Sequence, residues 1–400
     1  MSLNDTPTSM RTRITFLGKR NAGKSSLVNA ITGQELSVVS DVAGTTTDPV
    51  NKSMELLPLG PVVITDTAGY DDVGTLGEKR IEKTDRMLAV TDIAVLVKDA
   101  LDTSSNDKET EIIEKLKARS IPYVTVYNKC ELLSNTPKSN EQEIYVSAKT
   151  GHNIDKLKEI IANLKPKENN LKMVGDFINK GDFVVFVTPI DEAAPKGRLI
   201  LPQQQAIRDT LDNGAIAVVV QPEELKQTLD SLSCKPALVV TDSQVFGQVS
   251  KIVPKDIPLT SFSILVARVK GLLNEAVKGA AMLSEIQNGD KILISEGCTH
   301  HRQCNDIGTV KLPGLIKKFT EKEIEFNFTS GGDFPGDLSE YALIVHCGGC
   351  MISEKEMGHR VREAKAQNVP ITNYGTAIAL MNGILKRSLE ILPELSKLVD

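Results

Sequence analysis

The sequence predicts an α/β fold: a doubly wound, mostly parallel sheet over residues 1–168, then two smaller α/β domains over 171–258 and 259–400. Three observations lead there. Short apolar runs alternate with helical patterns along the whole chain, a glycine-rich turn joins the first run to the first helix, and 400 residues is two to three times a usual single domain of about 100–200 residues.

In the first part, strands are expected at Ile14–Leu17, Val62–Thr65, Ile93–Val97, Tyr123–Tyr127 and Ile144–Val146. Helical patterns lie between them, at Lys24–Ile31 and Lys108–Arg119. The charged, proline-bearing stretch Leu164–Asn170 reads as a linker. A second series follows: strand Phe183–Thr188, helix Pro202–Leu211, strand Ala215–Val220, helix Pro222–Ser231 and strand Ala237–Val240. Pro254–Pro258 reads as the next boundary. The third series has strands Lys291–Ser295, Glu323–Phe328 and Tyr341–Val345 and a helix over Ser353–Ala366. No internal repeat is expected, and the middle series, which lacks a catalytic cluster, suggests an assembly role.

Composition narrows the class. Hydrophobic residues are 40% and charged residues 25% of the chain, and no apolar run approaches the roughly 18 residues that cross a bilayer. No membrane span is expected, and polar Met1–Arg13 does not read as a secretion signal, so a cytoplasmic location is expected. A net charge of −5 gives no basic footprint for nucleic acid. Six cysteines in a reducing compartment read as metal ligands or redox groups where they cluster, and as small part-buried side chains at Cys130 and Cys234.

The first chemical signal is Gly18-Lys19-Arg20-Asn21-Ala22-Gly23-Lys24-Ser25 between a strand and a helix. Such a loop wraps backbone amides around phosphates, with Lys24 on the β and γ charges, the Ser25 hydroxyl at Mg²⁺ and Ser26 as a further nucleotide-binding residue. Four further elements follow in order. Gly44-Thr45-Thr46-Thr47-Asp48 supplies a threonine, Thr46, for Mg²⁺. Asp66-Thr67-Ala68-Gly69 places a carboxylate near the metal and the Gly69 amide at the γ-phosphate. Asn128-Lys129-Cys130-Glu131 reads a guanine base, and Ser147-Ala148-Lys149 closes over its edge. Five motifs in this order predict GTP binding and hydrolysis.

Asn21 before Ala-Gly-Lys-Ser-Ser-Leu, with the Ala-Gly-Thr-Thr switch, resembles the TrmE/Era-like branch of GTPases. The resemblance implies K⁺ coordinated by Asn21, with Ser40–Gly44 as the loop over the ion. Two departures stand out. Glu131 replaces the usual Asp, moving the carboxylate by one methylene, and Tyr70 stands where Ras-like proteins orient water with glutamine. Slow intrinsic hydrolysis is therefore expected, with Asp71, Asp72 and Glu78 as candidate helpers or plain solvated charges.

The second signal is Cys298-Thr299-His300 and, further on, His346-Cys347-Gly348-Gly349-Cys350, each directly after an apolar strand. Three chemistries compete: a structural zinc on Cys298, Cys347, Cys350 and one histidine; a thioredoxin-like dithiol; and a [4Fe–4S] cluster on three cysteines with one open iron. Cys304 could in principle close a four-thiolate site with Cys298, Cys347 and Cys350, but it reads as a bystander in the His301-Arg302-Gln303 loop.

A G domain joined to this Cys/His pair of groups resembles the HydF family of [FeFe]-hydrogenase maturation GTPases over essentially the whole length. Pro189–Leu199 is also similar to that family's dimer-forming domain. The resemblance implies a [4Fe–4S] cluster on Cys298, Cys347 and Cys350, with His300, His346, a carboxylate such as Asp191, or water at the fourth position. It implies a homodimeric scaffold that receives a di-iron unit from radical S-adenosylmethionine maturases and delivers it to apo-[FeFe]-hydrogenase, with GTP and GDP as the switch. Its rivals are a tRNA-modifying TrmE-like GTPase and a zinc-stabilised regulatory GTPase without cluster cargo.

Overall fold

The computed structural model describes residues 6–33, 50–67, 86–102, 107–166, 170–190, 199–297 and 307–399. The chain divides into two compact units, Met1–Glu168 and Asn169–Asp400. Among the described residues no helix is long and apolar enough to cross a membrane.

The first unit is built on six strands: β1 (Thr12–Gly18), β2 (Val50–Leu56), β3 (Gly60–Asp66), β4 (Ile93–Asp99), β5 (Tyr123–Asn128) and β6 (Glu143–Tyr145), in the order β2-β3-β1-β4-β5-β6. All neighbours are parallel except β2, which runs antiparallel to β3 along the edge. The sequence reading misses β2 because Val-Asn-Lys-Ser-Met-Glu-Leu is mostly polar, as an edge strand can be. Central strands are buried on both faces and read as continuous apolar runs, which is why β1, β3 and β4 are legible. Helices Lys24–Thr32 and Ile154–Asn163 bury Leu27, Ile31, Leu157 and Ile161 in the same core as Ile14 and Val95. Each such side chain contributes about 1.5–3 kcal/mol on burial.

The second unit holds two four-stranded, all-parallel sheets. One contains β7 (Phe183–Val187), β8 (Ile216–Val220), β9 (Leu238–Thr241) and β10 (Leu259–Ser261), ordered β8-β7-β9-β10. The other contains β11 (Lys291–Glu296), β12 (Glu325–Ser330), β13 (Leu343–His346) and β14 (Ile371–Asn373), ordered β12-β11-β13-β14. In both, the strands run second, first, third, fourth. β10 follows the Pro254–Pro258 stretch yet is the edge strand of the earlier sheet.

The likeness extends to individual bonds. Asn179 N donates to Asp182 Oδ2 at 2.7 Å before β7, and Gln287 N to Asp290 Oδ2 at 2.8 Å before β11. Ala237 N reaches Phe183 O as Ala342 N reaches Lys291 O, and Val239 N reaches Pro258 O as Ile344 N reaches Pro370 O, all at 2.9 Å. Ile257-Pro258-Leu259-Thr260 corresponds to Val369-Pro370-Ile371-Thr372, and Ser261 and Asn373 cap the helices Phe262–Val269 and Tyr374–Met381 that follow. The expectation of no internal repeat is therefore corrected. The matched segments are two to four residues long and separated by connections of different lengths, so no fixed period shows in the sequence.

The two modules share one core, in which Val185, Val239 and Phe246 of the first meet Leu293, Ile344 and Met357 of the second. Gly279, in helix Leu273–Ala281, lies so close to β14 that an added Cβ would sit 2.2 Å from Ile371 O.

Candidate nucleotide site and candidate thiol site

The glycine-rich turn sits between β1 and helix Lys24–Thr32. Asn21 and Gly23 adopt left-handed backbone, with φ of 59° and 83°. Glycine is required at 23 twice over, since a Cβ there would also stand 2.3 Å from Asn128 Nδ2. Lys24 is buried, and its amine donates to Gly18 O at 2.9 Å and Lys19 O at 2.8 Å, a fold-back that holds the cation inside the loop. Asn21 is exposed beside it, and Ser26 is half-buried at the helix start.

Ser25 Oγ donates to Asp66 Oδ2 at 2.7 Å, linking the loop to the end of β3. Asp66 is 1% exposed, and its second oxygen has no hydrogen-bond partner among the described residues. A buried carboxylate oxygen without a donor is costly unless a cation or water completes it. That donor set fits Mg²⁺, which takes oxygen ligands and retains several waters.

The Asn128-Lys129-Cys130-Glu131 segment does structural work. Asn128 is buried at the end of β5, donates from Nδ2 to Ala22 O at 3.2 Å and Gly23 O at 3.4 Å, and accepts Ala148 N on Oδ1 at 3.1 Å. One amide thus ties the phosphate loop to Ser147-Ala148-Lys149. Ser147 is buried and turns that segment by accepting Thr150 N on its hydroxyl, while Lys149 is exposed. Lys129, with φ of 65°, pairs with Asp99 at 2.6 Å. Cys130 is buried behind it, and Glu131 is exposed. Gly18, Asn21, Ala22, Gly23, Lys24, Ser25, Asp66, Asn128 and Ala148 therefore gather at one end of the sheet. Thr46 and Gly69 lie outside the described residues, as do Ser40–Gly44, Thr45, Thr47, Tyr70, Asp71, Asp72 and Glu78.

The second site forms where β11 and β13 end side by side, with Ser295 paired to His346. Cys347 Sγ accepts Gly297 N at 3.1 Å and Gly349 N at 3.4 Å, so the residue just before Cys298 already touches this thiol. Gly349 has φ of 67°, which turns the chain between Cys347 and Cys350. Burial pushes the Cys350 thiol up, and the nearby Lys270 charge offsets this only in part. Burial in turn lowers Lys270, opposed by the negative charges of Glu354, Cys350 and Glu356, and its amine donates to Ile352 O at 2.9 Å.

His346 is fully buried, and both ring nitrogens are engaged. Nδ1 meets Cys347 O at 2.7 Å and Nε2 meets Arg360 Nη1 at 3.0 Å. A guanidinium can only donate, so Nε2 is the acceptor and Nδ1 carries the proton. Burial, reinforced by the Arg360 charge, holds the imidazole down at about 3 and keeps it neutral.

Sequence reasoning missed Arg360. It is 1% exposed, on helix Glu354–Ala366, and binds Ser295 Oγ, His346, Gly331 O and Glu356, with its charge over the Phe334 ring. Its signal was hidden in a charged helix, but Arg360 falls on the same stripe as Met357, Val361 and Ala364, the face that is buried.

Among the described residues no three or more His, Cys, Asp or Glu side chains are gathered for a metal ion. Cys298, His300, Cys304 and Asp191 lie outside those residues. Cys234, expected to be part-buried, is exposed: it follows the last turn of helix Leu225–Ser231 in a surface connection.

Comparison with known proteins locates three matches along the chain. Residues 13–129 match the 50S ribosome-binding GTPase model, residues 173–271 the hydrogen maturase F dimerization domain and residues 274–391 the hydrogen maturase F tetramerization domain. The chain is 36% identical over 152 residues to the tRNA modification GTPase MnmE of Legionella pneumophila (strain Paris), covering 37% of this chain and 33% of that protein. It is 40% identical over 173 residues to GTPase Der of Wolinella succinogenes, covering 39% and 36%. The chain thus spans about a third of the length of these curated relatives. Among solved structures, Aquifex aeolicus Era bound to GDP.AlF4− aligns with a TM-score of 0.35 at 19% identity, covering 56% of this chain and 99% of that one. A GTPase model over residues 13–129 and two maturase domain models that together match more than half the sequence lead to one conclusion: the chain belongs to the hydrogen maturase F family.

Proposed function

We propose that this chain is a GTP-hydrolysing scaffold of [FeFe]-hydrogenase maturation. It binds a [4Fe–4S] cluster on Cys298, Cys347 and Cys350 and carries a di-iron unit to apo-hydrogenase. The observation that supports the cluster reading is the junction of β11 and β13, where the chain entering Cys298 donates its Gly297 N–H to Cys347 Sγ. Hydrogen bonds to sulfur favour the thiolate form that ligates iron. Bound on three thiolates, the cluster would offer one iron to an exchangeable ligand, the chemistry a carrier needs. His300, a carboxylate such as Asp191, or water would stand at that corner; His346 would have to give up its bond to Arg360 to do so.

In the nucleotide site, Lys24 would leave Gly18 O and Lys19 O for the phosphates, and Ser25 and Asp66 would hold Mg²⁺, with Thr46 and Gly69 completing the cage and Asn21 holding K⁺. Asn128, Lys129 and Glu131 would read guanine under Ser147-Ala148-Lys149. Dimer formation would fall to the module of β7–β10, and the partners that load the cargo would be radical S-adenosylmethionine maturases. The functional modules are 1–168 for GTP, a self-association module and the cluster module.

Crossed variants test this reading. Lys24→Ala should reduce GTP turnover by about 10³-fold or more, as expected for removing a charge that stabilises phosphoryl transfer, with iron content unchanged. Cys347→Ser should abolish iron binding with nucleotide affinity unchanged. Full iron loading of Cys347→Ser would refute the ligand set.

A further inference from the structure

The two C-terminal modules provide an internal comparison. Aligned by strand register, Val187 and Thr241 of the β7–β10 module stand where Ser295 and His346 stand in the β11–β14 module. Asp242, the residue corresponding to Cys347, likewise takes a backbone bond from the neighbouring strand: Asp242 N to Val187 O at 3.3 Å, against Cys347 N to Ser295 O at 2.9 Å. The framework is the same, but the first module builds these strand ends with a valine and a threonine. A buried guanidinium–imidazole–hydroxyl network is therefore not needed for the fold. It occurs in the module that bears Cys347 and Cys350.

Within that network one side chain joins every piece around the thiol. Arg360 reaches Ser295 Oγ at 3.3 Å on β11, His346 Nε2 at 3.0 Å on β13, Gly331 O at 2.6 Å just past β12 and Glu356 Oε1 at 2.6 Å on its own helix. By occupying Nε2 it fixes the histidine tautomer, and Nδ1–H then grips the carbonyl of Cys347 itself. The thiol of the same residue faces the Gly297 and Gly349 amides.

We propose that Arg360 is a positioning residue for the thiol site, acting through His346, which serves as a bridge to Cys347 and not as a metal ligand. This rests on the cluster reading above. Outer-sphere groups that orient a ligand typically account for about 10–100-fold in metal affinity. The relay makes a stricter statement: two residues that act in series cannot both be lost at full effect.

The test uses the full-length, metal-free protein titrated anaerobically with Co²⁺, followed by the thiolate-to-cobalt charge-transfer absorption and by the ligand-field bands. Arg360→Met and His346→Leu should each weaken Co²⁺ binding by roughly tenfold. The double variant should be no weaker than either single one, and His346→Leu should leave the ligand-field bands unmoved. Additive losses would overturn the relay, and shifted bands in His346→Leu would make the histidine a ligand. Circular dichroism checks folding, and Arg360→Lys, which retains the buried charge but loses the fork, is the second variant, expected to fall between wild type and Arg360→Met. A wild-type protein with no thiolate–cobalt absorption would instead overturn the thiol site on which the relay depends.

Discussion

Asn128 illustrates how one residue of a candidate site can hold neighbouring segments together. Its side-chain amide is buried against the phosphate loop on one side and the Ser147-Ala148-Lys149 segment on the other. Replacing it by alanine removes the side-chain partners of the Ala22 carbonyl and the Ala148 amide, while Gly23 O keeps its bond from Leu27 N; the loss is about 1–3 kcal/mol for a buried polar group. Asn128→Ala should therefore weaken GDP binding by roughly ten- to a hundredfold in a fluorescent-nucleotide titration. Unchanged affinity would mean that the loop is held by its own backbone. Ser25 and Asp66 bind each other in this structure, and the second Asp66 oxygen has no hydrogen-bond partner among the described residues.

At the scale of elements, strand ends decide chemistry. β1, β3 and β5 deliver the phosphate loop, Asp66 and Asn128 to one sheet edge, and β11 and β13 deliver Gly297 and Cys347 to another. The packing that fixes the second edge is tight. Gly279→Ala would press a methyl group onto the Ile371 backbone and should cost about 1–3 kcal/mol, read as a lowered thermal midpoint of the C-terminal unit, whereas an unshifted midpoint would mean that the helix can retreat from β14. Much of this was legible in the sequence. Buried parallel strands such as Ile93–Asp99 announce themselves as apolar runs, and a glycine-rich turn before Lys24 announces a phosphate loop. Three elements were not: Leu312–Thr320 opens on Leu-Pro-Gly, which reads as a breaker, Tyr374–Met381 is buried on nearly every side and so shows no polar face, and Ile371–Asn373 is only three residues long. Arg360 was hidden for a different reason. A charged residue in Glu-Lys-Glu-Met-Gly-His-Arg-Val-Arg-Glu reads as solvent-facing, and only the strand-end acceptors it meets, far away in sequence, reveal that it is buried.

For the whole molecule, a nucleotide-binding unit and a pair of like modules occur in one chain. The family to which it belongs carries dimerization and tetramerization domains, which suggests self-association. Light scattering on the full chain should therefore give a mass above the 43.5 kDa of one copy, and a strictly monomeric protein at micromolar concentration would contradict this. The two like modules match different association domains of that family, residues 173–271 the dimerization domain and residues 274–391 the tetramerization domain, so one strand framework occurs twice within one chain.

The central claim is that nucleotide chemistry and an iron–sulfur cluster meet in this one chain. Anaerobic iron and sulfide analysis of the reconstituted protein, combined with electron paramagnetic resonance after reduction, tests it most directly. The account predicts about four irons and four sulfides per chain with the signal of a reduced [4Fe–4S] cluster; one zinc with no iron would contradict it.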